Sequence, residues 1–251
     1  LLNFSGLVLN EWLKMSKKRS FFIAYAVMLF TIVGFTYLIW KMAGEEFPTM
    51  LEFAGSIMST NGVGQVVTIV AIIFTAGIVA KEHQLGTVKF LLIRAHGRSK
   101  ILASKYVAAI LFVCSLIIFT IVAALAASGI AFGFESTGDI TWLDVAKSML
   151  FQTVYTIIYV SLTFMFGILT RSSGATIGIG MTAVLLEGLL KMLLSNYDFS
   201  KYLLFMNTDL SLFAGNESSS GGILFPSIVC TAYVCLFLVI SFVTFKKRDI
   251  A

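Results

Sequence analysis

The chain has 251 residues, of which 58% are hydrophobic and 12% charged, with a formal net charge of +5. Soluble domains carry charge on about a quarter of their residues, and a chain of this size has too little interior to hide so much apolar surface, so lipid is the solvent for much of it. The mean hydropathy of +0.94 agrees.

The basic residues flank apolar runs and do not interleave with aromatics, which argues against a nucleic-acid partner. Cys114, Cys230 and Cys235 all fall inside apolar runs without metal-type spacing. His83 and His96 are the only imidazoles, so neither a zinc site nor a histidine-based catalytic site is supplied. The expectation is a non-enzymatic chain with no metal and no cofactor of its own.

Residues 3–18 come first. Phe4, Leu7, Val8, Trp12 and Met15 recur at helical spacing, while Asn10, Glu11, Lys14, Lys17 and Lys18 are polar. This predicts an amphipathic helix lying in the membrane interface, with its polar residues toward water.

A spanning helix needs roughly 20 mostly apolar residues. Stretches at 20–40, 63–80, 101–127, 148–170, 174–194 and 223–245 meet that requirement, predicting an all-α integral membrane protein of six spans, with 1–251 as a single transmembrane domain. The runs are too long, and alternate too little, for barrel strands. The first run reads as a retained span and not as a signal peptide.

One side of this layout collects Lys14, Lys17, Lys18, Arg19, Lys81, Lys89, Arg94, Arg98, Lys100, Lys105, Arg171, Lys246, Lys247 and Arg248. The other holds Lys41, Lys147, Lys191 and Lys201, together with most of the acids, Glu52 and Asp209 among them. The asymmetry predicts a multi-pass protein of the cytoplasmic membrane with both termini cytoplasmic.

Between the second and third runs lies a basic stretch from Lys81 to Lys105. Leu85, Val88, Leu91 and Leu92 can form the apolar face of a short helix, and Gly86 allows another backbone to approach closely. By itself the stretch reads more readily as a solvated basic loop than as such a helix.

In the fifth run Glu187 is a carboxylate at membrane depth, a functional candidate by default. Lys191 follows four residues later in the favourable order, so Glu187 reads either as half of a pair reaching the outer interface or as a polar group on a substrate path. The run offers no second buried acid for proton coupling. Gly174 and Gly178 form a small-residue face suited to close helix packing, internal or at a dimer seam. Residues 195–222 are too apolar for a plain loop and predict short re-entrant or interfacial helices. Pro226 marks the opening turn of the last span.

In their order and topology these features resemble the ABC-2 type permeases, the membrane subunits of one class of ABC exporters. Members carry an acidic residue at the end of the second span, then Gly-Thr, an apolar pair, an Arg, and a Lys opening the third span. Here these are Glu82, Gly86-Thr87, Leu91-Leu92, Arg98 and Lys105. The chain has Ala95-His96-Gly97-Arg98 where relatives often have Pro-x-x-Arg. The resemblance includes Glu11-Trp12-Leu13-Lys14 before the first span, and Lys201-Tyr202-Leu203-Leu204-Phe205 after the fifth, where relatives often have Pro at the fourth place.

The resemblance implies that the basic stretch is a coupling helix seated in a separate ATPase subunit. Glu82, Leu85, Gly86, Thr87, Leu91, Arg98 and Lys105 would bear on that contact. It further implies a second permease subunit, alternating access, and ATP with Mg on the ATPase partner. No phosphate cradle is present in these residues. Within the family the chain is most similar to small Gram-positive permeases that handle antimicrobial or cytolytic peptides, such as exporters of phenol-soluble modulins. An amphipathic peptide is therefore the expected cargo. A secondary transporter, or a passive peptide-binding immunity protein without an ATPase, is the alternative.

Overall fold

The protein is described by a computed structural model covering residues 4–42, 47–60, 62–84, 97–134, 140–214 and 222–247, with the backbone alone for 79–84 and 98. In order, the helices are α1 (Phe4–Ser16), α2 (Arg19–Met42), α3 (Met50–Ile57), α4 (Val63–Gln84), α5 (Arg98–Phe132), α6 (Trp142–Thr170) and α7 (Ser173–Leu194). A 3₁₀ turn (Asp198–Tyr202) follows, then α8 (Leu204–Asn207), α9 (Ser211–Ala214) and α10 (Leu224–Lys247).

Each predicted apolar run coincides with one helix, the last beginning one residue ahead of α10. Five of these helices (α2, α5, α6, α7 and α10) are long and apolar enough to cross a membrane. α4 carries a shorter apolar stretch among the described residues, Val63–Ile78. The chain is thus an all-α multi-pass membrane protein.

Local chemistry sets the helix ends. At α3 the Thr49 hydroxyl accepts from Glu52 N–H at 3.3 Å, and the Glu52 carboxylate accepts from Thr49 N–H at 2.8 Å. Thr141 and Asp144 repeat this reciprocal cap at α6. Gly97 occupies the N-cap of α5, and Gly133, at φ 96°, stops it. α6 and α7 are joined by Arg171, in the left-handed conformation at φ 55°, and Ser172, whose side chain caps α7. Pro226 lies buried in the first turn of α10, as expected of a residue that cannot donate further in. At 35 residues α5 is about 52 Å long, well beyond a hydrocarbon core of about 30 Å, and its charged residues, Arg98, Lys100 and Lys105, all lie in its first turns.

α6 is the central element. Two-thirds of its apolar window is buried, against 17% for α7 and 22% for α2 and α10. The outer faces of those three helices present large apolar side chains such as Phe30, Met192 and Ile228, the surface that lipid solvates. One core cluster joins α1–α6 around Met28, Phe53, Phe112 and Phe164, with Phe74 stacked on Phe112 at 3.8 Å. A second joins α4, α6, α7, α8 and α10 around Ile72, Tyr159, Val184 and Cys230.

Residues 41–62 were expected to be only an outer connection; the structure instead places α3 there. α3 buries Leu51, Phe53, Ala54 and Ile57 and packs against α5 and α6. Of the two readings of the glycine face, the internal contact is not seen. Gly174 and Gly178 have open space where a Cβ would stand, so their face makes no close contact within the subunit. Close packing falls instead on Gly180, where a Cβ would lie 2.7 Å from Ile72 and 2.8 Å from Thr163. Gly180→Ala should therefore cost about 1–3 kcal/mol through overpacking, with Gly178→Ala within about 0.5 kcal/mol of the parent chain. Thermal unfolding of the two variants in detergent checks this difference.

Candidate functional site: a buried carboxylate between two helices and the 198–214 segment

On α6, Tyr155 and Tyr159 are one helical turn apart and face α7. Glu187 of α7 lies opposite them, 6% exposed. Both tyrosine hydroxyls donate to Glu187 Oε2 at 2.6 Å. Glu187 Oε1 accepts from the Thr208 hydroxyl at 2.5 Å and pairs with Lys191 Nζ at 2.6 Å. A carboxylate offers about four lone-pair positions, and here four donors converge on it. This answers the cost of a charge at membrane depth: every acceptor position is satisfied from within the protein.

The Glu187–Lys191 pair expected from spacing is present, but its two halves differ. Lys191 keeps 27% of its side chain exposed, whereas the Glu187 side chain keeps 8%. The lysine reaches outward, and the carboxylate points in toward α6. The pair therefore does not simply reach the interface together.

Thr208 belongs to the segment linking α7 to α10, which holds the short helices expected for it. Asn207 Nδ2 donates to the Lys201 and Leu203 carbonyls at 2.8 Å each, folding the segment on itself. The Cys230 thiol donates to the Asn207 carbonyl at 3.1 Å, fastening it to α10. Asp209 is buried at 4% exposure. It accepts from the Thr60 hydroxyl at 2.5 Å and from both the backbone N–H and the hydroxyl of Ser211. Asp209 was assigned to the outer acids, and no second buried acid was expected; the structure supplies one. Its burial follows from contacts with Thr60, 149 residues away in sequence.

Beside this cluster Gln152 of α6 is fully buried, donating to the Gly64 carbonyl at 2.6 Å and to the Thr68 hydroxyl at 3.2 Å. Thr68 and Thr156 share a further hydrogen bond at 3.0 Å. Among the described residues, Gln152 Oε1 and Thr75 Oγ1 are the buried side-chain atoms that find no partner.

At the opposite, basic end lies a second ionic contact. Lys105 of α5 donates to Glu11 of α1 at 2.9 Å, and both side chains are only 7% exposed. Lys14 stands 3.8 Å from the same carboxylate. Glu11 was expected on the watery face of an interfacial helix; instead it shares the buried face of α1 with Met15. The reason is the lysine 94 residues on, which gives the carboxylate a buried partner in addition to the exposed Lys14. The next residue, Tyr106, shares a hydrogen bond with Ser161 of α6 at 2.8 Å.

Of the other proposed coupling residues, Leu85, Gly86, Thr87 and Leu91 lie outside the described residues, while Glu82 and Arg98 stand at the facing ends of α4 and α5. Among the described residues no group of acids, histidines or cysteines is arranged to hold a metal. Sequence reasoning missed Tyr155, Tyr159, Thr208 and Gln152. The four-residue spacings 152/156 and 155/159, polar in an otherwise apolar run, were the available signal.

Tyr155→Phe and Tyr159→Phe should each cost about 1 kcal/mol. Their combination should cost less than the sum, because both donate to one oxygen. Glu187→Ala should cost about 3 kcal/mol or more, because it strands three buried hydroxyls and a lysine. Unfolding free energies of the four variants in mixed micelles measure this.

The chain is similar to the "Uncharacterized protein YhcI" of Bacillus subtilis (strain 168), with 26% identity over 98% of this chain and 99% of that protein. Neither that name nor the matching family's description states an activity. Residues 6–251 match the family described as "Protein of unknown function (DUF2705)", and the chain belongs to that family.

Proposed function

We propose that this chain is the membrane-spanning subunit of an ATP-driven exporter of the ABC-2 kind, moving an amphipathic or hydrophobic substrate out of a bacterial cell. The observation that supports this most is the buried Glu11–Lys105 pair. It ties the helix preceding the first span to the helix that leaves the basic stretch. A push delivered to that stretch by a partner would therefore reach α1 and α5 together. Tyr106–Ser161 then joins α5 to α6, and α6 carries the tyrosines that hold Glu187. These contacts connect the basic end of the bundle to the carboxylate cluster.

In this proposal residues 81–100 face the cytoplasm and seat in a separate ATPase chain, which carries ATP and Mg. Glu82, Leu85, Gly86, Thr87, Leu91 and Arg98 make that contact, and Lys105 transmits it. The chain performs no bond chemistry. Six helices cross the membrane, α4 included, with both termini on the cytoplasmic side. A second permease subunit packs on the open Gly174–Gly178 face of α7. The cargo is an amphipathic peptide, and Glu187 lies on its route.

A secondary transporter is the second reading, favoured by one observation: Asp209 is a buried carboxylate beside Glu187, where ion or proton coupling would need one. The two readings part on energy source. Purified in mild detergent, the chain should bring with it a stoichiometric ATPase whose hydrolysis rises with substrate. Glu11→Gln or Lys105→Gln should leave the ATPase bound while that rise is lost, and the exchange Glu11→Lys with Lys105→Glu should restore it. A chain that purifies without an ATPase, and moves substrate in vesicles only under a proton gradient, would replace the first reading with the second.

A further inference from the structure

In the seam between α4 and α6, three oxygens converge on one amide nitrogen. Gln152 Nε2 donates to the Gly64 carbonyl at 2.6 Å, to the Thr68 hydroxyl at 3.2 Å and to the Thr156 hydroxyl at 3.3 Å. Gly64 and Gln152 are 88 residues apart, and so are Thr68 and Thr156, so the contacts advance together along two parallel helices. Gln152, Thr68 and Thr156 are all fully buried. The other end of the same amide, Oε1, finds no donor among the described residues. It lies against Gly64, where a Cβ would stand 2.9 Å from it and would also strike the Ser59 carbonyl.

A buried acceptor without a donor is unfavourable. Turning the amide end for end would aim Nε2 toward the Ser59 carbonyl side and bring Oε1 among the three oxygens. That orientation carries a different penalty. Two carbonyl oxygens, Gly64 O and Gln152 Oε1, would face each other at hydrogen-bonding distance, and neither can supply a proton. A cation coordinated by both removes the repulsion. Carbonyl oxygens are the ligands that replace the hydration shell of an alkali ion inside membrane proteins. The set here is neutral, which suits a single positive charge; a divalent ion calls for carboxylates among its ligands. The balancing charge is at hand. Thr60, next to Ser59 in the chain, donates to the buried Asp209 carboxylate. Among the described residues no lysine or arginine pairs with Asp209, whereas Glu187 has Lys191.

We propose that the Gly64 carbonyl, the Thr68 and Thr156 hydroxyls and Gln152 Oε1 form a binding site for a monovalent alkali cation, with Asp209 as the nearby counter-charge. The Gln152 amide group and the ion compete for the same three oxygens, and the amide turns over as the ion binds. The proposal does not depend on the energy source of transport, because it concerns binding to the purified chain.

The test follows thermal unfolding of the full chain in mild detergent. N-methylglucamine chloride is replaced stepwise by sodium or potassium chloride at constant total chloride. The midpoint should rise with at least one alkali ion and then saturate, as for a ligand bound by the folded chain. Thr68→Val and Thr156→Val each remove one ligand at nearly constant shape and should raise the half-saturating concentration about tenfold or more. Thr36→Val, which removes a buried hydroxyl bonded to Ile32 of its own helix, should leave it unchanged. Gln152→Glu supplies a charged ligand and should lower the half-saturating concentration; it decides the matter if the valine variants lose helicity or monodispersity. A midpoint indifferent to all three salts would overturn the proposal and leave a buried water as the partner of Oε1. A rise that never saturates, or one that is the same in the valine variants and in Gln152→Glu, would overturn it as a general salt effect or a site elsewhere.

Discussion

A carboxylate in an apolar bundle has no water to fall back on, so its donors must come from the protein itself. Glu187 meets that constraint by drawing on three parts of the chain: Tyr155 and Tyr159 from α6, Lys191 from its own helix, and Thr208 from the segment that leads to α10. Each donor would pay a desolvation cost if left alone at this depth. The carboxylate and its donors are therefore mutually dependent. α7, otherwise mostly exposed to lipid, is held to the core here and at Gly180. The Asn207–Cys230 and Asp209–Thr60 contacts extend the same hold to α10 and to the turn before α4.

The Glu11–Lys105 pair solves the same problem at the other end. Burying two charges is costly, and a pair of this kind is poor evidence for extra stability by itself. What it supplies is position. An amphipathic helix in an interface is free to slide and rotate about its apolar face, whereas a buried ion pair fixes both at one point. α1 is thereby registered on α5, and the aromatic group of Trp12, Phe21, Tyr25, Phe74 and Phe112 fills the space between α1, α2, α4 and α5.

Much of this architecture was legible in the residues. Runs of apolar residues located the long helices to within a few positions, because length and hydropathy alone decide whether a helix suits lipid. Glu187 and Lys191 were readable as a pair from their spacing on one helix. The short helix α3 could have been read from Thr49-x-x-Glu52 ahead of an apolar run, a local cap that needs no tertiary information. Asp209 could not have been read as buried: Leu210 beside it is apolar but Asn207, Thr208 and Ser211 are polar, and its burial depends on Thr60 from a distant turn. Glu11 misled for the same reason. An acid with a lysine three residues on reads as part of a solvent-facing pair until its buried partner is known.

By itself, then, the sequence determined the solvent of this protein, the number and length of its apolar runs, the charge asymmetry between their ends, and the positions of its ionisable residues. These are local or additive properties, and they follow from transfer free energies and helical periodicity. The tertiary structure alone decided which distant partners meet the buried acids. Glu11 with Lys105, Glu187 with two tyrosines and Thr208, and Asp209 with Thr60 are each contacts between distant residues. Their cost or benefit arises only when packing removes water from both partners at once.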